Sequence, residues 1–156
     1  MTAMNKQGFL KAIMLTLMAL VLISCNASEQ VQATEVTMYK DPNCGCCGDW
    51  AKHLNREGFK VIEKTSSDMG GVKSEYGVPS RLASCHTALI DGYIIEGHVP
   101  ADDIKRLLKE RPDVVGLTAP GMPMKSPGMQ AEGLPPKNYD VLSFDKNGKT
   151  AVYTSY

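Results

Sequence analysis

Three cysteines lie within four residues, in the segment 41–50, which has the sequence DPNCGCCGDW. Cys44 and Cys47 form a C-x-x-C pair, which is the spacing of the redox motif in thioredoxin-like proteins. Cys46 adds a third thiol, which would compete for every mixed disulfide that this pair forms. Three soft sulfur atoms on one turn also suit a soft metal ion, Cu(I) or Zn(II). The segment therefore predicts a thiol site with metal-binding or redox chemistry.

The spacing of these thiols favours several metal ions over one. A single tetrahedral zinc ion fits poorly, because structural zinc sites use ligand pairs spaced by at least two residues and the side chains of adjacent Cys46 and Cys47 tend to point apart. Adjacent thiolates bridge two or more ions more readily. A structural disulfide with one spare thiol is the alternative, since exported proteins commonly contain such bridges.

The first 24 residues have the pattern of a bacterial export signal. Two lysines precede an uncharged run over 12–23, which is too short to span a bilayer. The run ends in Leu-Ile-Ser-Cys, which resembles the cleavage site of a lipoprotein. We therefore predict a signal peptide over 1–24, a lipid on Cys25 that attaches the protein to the membrane, and a tether over 25–34.

The same pattern predicts a periplasmic location. Asn26 follows the cysteine, and this resembles the sorting sequence of lipoproteins that are anchored in the outer membrane. Cleavage after Ala33 is the alternative, and it would release a soluble periplasmic protein.

The remaining 132 residues carry 15 basic and 17 acidic side chains. This balance lacks the basic excess of nucleic-acid-binding proteins, and we expect no nucleic acid as a partner. The length suits one domain with its own hydrophobic core, which we place at 35–156.

The hydrophobic pattern predicts alternating strands and helices. Predicted strands are 35–40, 59–64, 84–90 and 93–96, predicted helices are 48–57, 67–76 and 101–110, and a C-terminal hairpin is predicted at 139–144 and 150–153. This order predicts the α/β class: a thioredoxin-like sandwich, with a mixed sheet and helices on both faces, plus a C-terminal loop and β-hairpin. The first three cysteines then lie at a helix N-terminus, where free N–H groups favour the thiolate form.

In this topology the segment that follows Pro79 runs beside the N-terminus of the first helix. Cys85 and His86 could meet the other cysteines there, although some forty residues separate them in sequence. Side chains alternate along a strand, so we expect only one of the two, Cys85, to face the site. We prefer His98 to His86 as an imidazole ligand.

A loop predicted at 116–136 contains five prolines and three methionines. The thioethers of Met122, Met124 and Met129 are soft and could add to a thiolate site. The alternative is that these flexible side chains cover the hydrophobic core.

Several separated motifs together resemble the bacterial CopG-like family. They are NCGCCGDW at 43–50, GVPS at 77–80, SCHTA at 84–88, GHVPA at 97–101, GMP at 121–123 and SPGM at 126–129. The resemblance extends over about 36–144, which is most of the predicted domain.

This resemblance implies a periplasmic copper-resistance protein with a thioredoxin-like fold and several copper ions in a cysteine-bridged cluster. Carried over by position, the cluster ligands would be Cys44, Cys46, Cys47 and Cys85, while the histidines and the methionine loop would be neighbours of the site. Thiolates bind copper as Cu(I). Expected partners are copper ions and periplasmic copper-handling or redox proteins. The alternative function is a thiol–disulfide oxidoreductase with Cys44 as the nucleophile and Cys47 as the resolving cysteine.

Overall fold

A computed structural model describes residues 32–156. The predicted signal peptide, the predicted lipid site Cys25 and most of the predicted tether lie outside the described residues. The chain from Ala33 to Tyr156 forms one compact unit. None of the helices in the described part is long and apolar enough to cross a membrane.

Seven β-strands and three α-helices make up the described part of the chain. In order they are β1 Thr34–Lys40, α1 Gly45–Arg56, β2 Phe59–Thr65, α2 Met69–Glu75, β3 His86–Ile90, β4 Tyr93–Gly97, α3 Ala101–Glu110, β5 Gly116–Ala119, β6 Asp140–Phe144 and β7 Thr150–Ser155. A 3-10 turn at Ser80–Leu82 occupies the segment between α2 and β3.

All seven strands belong to one sheet in the order β2-β1-β3-β4-β5-β6-β7. The β1–β2 and β4–β5 pairs are parallel, and the other four pairs are antiparallel. The sheet is therefore mixed, as predicted, and the C-terminal hairpin continues it through the β5–β6 pair.

Hydrophobic side chains cover both faces of the sheet. Ile95 of β4 lies in the larger core, together with Trp50 of α1 and Ile104 of α3. Its neighbour Ile94 points to the opposite face and packs in a smaller core with Leu82 of the 3-10 turn. Lys73 of α2 donates to Glu96, which lies on the same face of β4 as Ile94 because side chains alternate along a strand. Helices α1 and α3 therefore pack on one face of the sheet and α2 on the other, as predicted.

The prediction that 116–136 is entirely loop is wrong for its first four residues, which form β5. Strand β4 approaches β5 very closely at Gly116, where an added Cβ would lie 1.8 Å from the carbonyl oxygen of Ile94. Only glycine permits that approach, and buried Leu117 and Ala119 complete the strand. Four residues are too few to show a periodic pattern in the sequence.

Two element boundaries near the cysteines also differ from the prediction. Helix α1 begins at Gly45 and not at about residue 48, so Cys46 and Cys47 belong to its first turn. Strand β3 begins at His86 and not at residue 84, so Cys85 lies immediately before the strand.

Candidate metal centre

The loop between β1 and α1 is shaped by Asp41. Its carbonyl oxygen accepts the N–H of Cys44 at 3.0 Å, and its carboxylate accepts the N–H of Asn43 at 2.7 Å. This turn places Cys44 at the N-cap of α1, although its side chain makes no capping hydrogen bond. The first turn of α1 contains no acidic side chain, so its free N–H groups and the helix dipole act on the sulfur atoms without an opposing carboxylate.

The structure brings all four cysteines of the described range together. The Sγ atoms of Cys44, Cys46, Cys47 and Cys85 lie within 4.8 Å of one another. Cys44 and Cys47 are joined by a disulfide, whereas Cys46 and Cys85 carry the free thiols among residues 32–156. Cys46 and Cys47 therefore do not diverge as their adjacency suggested, because the helical turn directs both sulfur atoms to the same cluster. Their role as metal ligands stays a prediction.

His98 presents one ring nitrogen to this cluster. Its Nδ1 lies 2.7 Å from the carbonyl oxygen of Pro127, which can only accept a hydrogen bond, so Nδ1 carries the proton. The lone pair of Nε2 therefore faces the Sγ of Cys85 at 3.1 Å. A backbone carbonyl that fixes the tautomer in this way is a common companion of metal-ligating histidine.

The prediction that only Cys85 of the Cys-His pair faces the site is wrong, because His86 reaches it too. Its Nδ1 lies 3.4 Å from the Sγ of Cys85, so both members of the Cys-His pair reach the site. Strand alternation does not apply to them, because Cys85 precedes β3. His86 is fully buried, its ring centroid is 4.3 Å from that of Trp50, and its Nε2 has no hydrogen-bond partner within the described part of the chain. Cys85, His86 and His98 thus form a second group with metal-ligand spacing.

The protonation state of Cys85 bears on metal binding. Burial, together with the neighbouring Cys46, raises the pKa of this thiol to about 12. In the metal-free protein Cys85 is therefore protonated at neutral pH. A metal ion must displace that proton when it binds, because the thiolate is the ligand form.

The middle of the methionine-containing loop, at Gly128 and Met129, lies against the site. A Cβ added at Gly128 would lie 2.6 Å from the backbone nitrogen of Trp50 and 3.1 Å from the carbonyl oxygen of Cys46, so this loop packs directly on the first turn of α1. Met129 is half-buried beside it, whereas Met122 and Met124 are 43% and 71% exposed. Thioether ligation by any of the three stays a prediction.

Acid should destabilise the metal-free protein, because burial lowers the pKa values of all three histidines of the chain, that of His86 most strongly. The histidines of the unfolded chain become protonated near pH 6.5, whereas those of the folded chain become protonated only at a lower pH. The histidine contribution is thus complete above pH 6.5 and is lost as the pH falls below it, at up to about 1.4 kcal/mol per pH unit for each of the buried His86 and His98 and by less for the half-buried His53.

Denaturant titrations at pH 7, 6 and 5 measure this dependence, and His86→Gln should reduce its slope. Glu96 acts in the opposite sense, because burial raises its pKa, so the measured slope is a net value. A free energy of unfolding that rises between pH 7 and pH 5 would contradict the expectation.

Comparison with known proteins gives the family. A family model described as "Protein of unknown function, DUF411" matches residues 82–129. Two solved structures of a copper resistance protein CopG, Form 1 and Form 2, are each 46% identical in sequence, with a TM-score of 0.73, and the match covers 80% of this chain and 98% of theirs. The chain belongs to the CopG-like family. No curated protein sequence matches it significantly.

The family assignment and the geometry agree on the chemistry of the site. CopG-like proteins include a copper resistance protein, and this CopG-like chain has a cysteine cluster that could bind a metal ion. The region matched by the family model contains Cys85, His86 and His98, which are the residues that the sheet brings to the cysteines of α1.

Proposed function

We propose that this chain is an exported copper-binding protein that holds Cu(I) in a cysteine-bridged, multinuclear site and acts in copper resistance or copper redox handling. The observation that carries the proposal is the approach of four cysteine sulfurs to within 4.8 Å of one another. Four thiolates so close repel one another unless cations lie between them, and soft Cu(I) is well suited to that role.

The ligand set comprises the four cysteines, after reduction of the Cys44–Cys47 disulfide. His98 is the imidazole ligand, since its Nε2 lone pair is directed at Cys85. Met129 is the best placed of the three methionines, while Met122 and Met124 would need to turn inward from the surface.

Export follows from the N-terminal sequence pattern, with a lipid on Cys25 and an outer-membrane anchor as the first choice and a soluble periplasmic form as the second. The partners are copper ions and periplasmic proteins that deliver or receive copper or electrons.

A thiol–disulfide oxidoreductase is the second candidate, and the Cys44–Cys47 disulfide favours it. Cys44 is half-buried at the N-cap of α1, whereas Cys47 is fully buried, as expected for a nucleophile and its resolving partner. The metal-free protein with this disulfide first reduced to two thiols would then reduce the disulfides of insulin, while Cys44 and Cys47 return to the disulfide. The absence of that activity would count against this candidate.

The test of the copper proposal is an anaerobic Cu(I) titration of the reduced full chain against a competing chelator, followed by elemental analysis. A Cys25→Ser background restricts the count to the four cysteines of the described domain. We expect more than one copper ion per chain. A single zinc ion or no metal, together with rapid closure of the Cys44–Cys47 disulfide in air, would favour the oxidoreductase.

A further inference from the structure

A buried ion pair lies beneath the segment that carries Cys85. The Nζ of Lys73, on α2, donates to the Oε1 of Glu96, on β4, at 2.6 Å. The side chain of Glu96 is 0% exposed and that of Lys73 is 14% exposed. Such a pair is costly to desolvate and contributes little net stability compared with apolar side chains of similar volume. Its presence therefore calls for a role other than stability.

The carboxylate of Glu96 is connected to the Cys85 segment by a direct hydrogen bond. Its Oε1 accepts the backbone N–H of Ser84 at 2.6 Å, one residue before Cys85. Its Oε2 accepts the hydroxyl of Thr87 at 2.7 Å, and that hydroxyl oxygen in turn accepts from Lys73 at 3.0 Å. Glu96 and Thr87 are also directly paired across β4 and β3. The carboxylate thus receives three hydrogen bonds, and one of them positions the backbone at Ser84.

Further contacts keep Ser84 in place from the other side. Gly97 has a φ of +74°, and a Cβ added there would lie 2.4 Å from the Oγ of Ser84. The hydroxyl of Thr118 donates to the carbonyl oxygen of Leu82 at 2.8 Å. The backbone N–H of Ala83, which directly follows the 3-10 turn, donates to the carbonyl oxygen of Ser80 at 3.2 Å. The backbone N–H of Ser84 is held instead by the carboxylate of Glu96, so this contact helps to determine where Cys85 lies.

We propose that the Lys73–Glu96 pair is a positioning device for the metal centre: through the Ser84 N–H it holds the sulfur of Cys85 against Cys46 and His98. Glu96 and Lys73 do not touch the sulfur cluster themselves; they act through the backbone. The expected effect on copper binding rests on the proposed copper site, whereas the position of Cys85 does not. The placement of Cys85 can be tested without any metal.

The test uses the full chain with the Cys44–Cys47 disulfide intact, so that Cys46 and Cys85 are free thiols within the described domain. Iodoacetamide alkylation of each is followed by peptide mass spectrometry, with Cys46 as the internal reference. Both Glu96→Gln and Lys73→Met remove the charge-assisted hydrogen bond between Lys73 and Glu96, which holds the carboxylate in place. Each should release the Ser84 segment and accelerate alkylation of Cys85 relative to Cys46 by about tenfold. Lys73→Arg, which keeps the charge, should restore the wild-type ratio.

Glu63→Gln is the matched control. It removes one partner of the Lys40–Glu63 pair, which also has a largely buried lysine. Lys40 pairs with His86 through the backbone of β1 and β3, and the substitution leaves that backbone pairing in place. Its alkylation ratio should equal that of the wild-type protein. Parallel acceleration of Cys46 and Cys85 would show general loosening of the fold and would overturn the proposal, as would an unchanged ratio in folded Lys73→Met and Glu96→Gln proteins.

A Cu(I) competition titration of the same variants separates the two proposals. We expect the affinity for Cu(I) to fall in Lys73→Met and recover in Lys73→Arg. If the alkylation ratio changes while the Cu(I) affinity does not, the positioning role stands and the assignment of Cys85 as a copper ligand fails.

Discussion

Replacement of Cys46 by serine should lower the number of Cu(I) ions bound per chain by roughly twofold or more, because in the proposed copper site it removes a thiolate that bridges neighbouring ions. Cys46 is half-buried, and its sulfur lies 3.7 Å from that of Cys44. Serine has nearly the same shape, but its hydroxyl is a poor ligand for a soft cation. Elemental analysis of the protein loaded anaerobically with Cu(I) gives the measurement.

Gly45→Ala is the control for this substitution. It alters the same turn of α1, an added Cβ meets no atom within 4 Å, and all four sulfurs are retained. Its copper content should match that of the wild-type protein. The Cys44–Cys47 disulfide should still close in Cys46→Ser, so the variant separates metal binding from redox chemistry. Unchanged copper content in Cys46→Ser would remove the reason to distinguish this site from a plain C-x-x-C motif.

Replacement of Gly128 by alanine should lower the free energy of unfolding much more than replacement of Gly133. Both glycines have similar backbone conformations, with φ of +83° and +81°. Each substitution places an L-residue in the left-handed region, at a cost of about 1–2 kcal/mol. At Gly128 the new Cβ would also collide with backbone atoms of Trp50 and Cys46, whereas at Gly133 it meets nothing within 4 Å. That collision should add about 1–3 kcal/mol to the destabilisation.

The Gly128 substitution should also weaken Cu(I) binding. The adjacent Pro127 carbonyl accepts the Nδ1–H of His98, and a displaced loop would release that ring from its orientation toward Cys85. Urea titrations compare the free energies of unfolding of the two variants, and chelator competition compares their Cu(I) affinities. Equal losses of unfolding free energy and of Cu(I) affinity in both variants would mean that the close approach of the loop to α1 affects neither stability nor copper binding.

Much of the fold follows from local patterns in the sequence. The alternating run of β1, the apolar residues of α1 at helical spacing and the Asp-Gly turn between β3 and β4 each specify an element within a few residues. Helix α3 was predicted at its observed limits, Ala101–Glu110, because acidic residues occupy its first turn, Lys109 its last, and proline follows it. Strand β5 was missed, since its four residues depend on the backbone of β4 for their conformation.

The α/β class and the cluster of three thiols at a helix N-terminus could be predicted from local patterns, because thiol spacing, the turn before the helix and the helix itself are local properties. Which distant residues complete the site depends on how the strands pack in the sheet. Cys85 precedes β3 and His98 follows β4, so both lie at the open end of the β3–β4 hairpin. Their approach to α1 depends on β3 lying next to β1 in the sheet.

The positions of His86 and Glu96 likewise could not be predicted from the sequence. His86 reaches Cys85 because the strand begins one residue after the cysteine, and Glu96 is buried beneath Ser84 because Lys73 compensates its charge from α2. Burial, hydrogen-bond partners and charge compensation arise from packing between elements, which no short window of sequence contains.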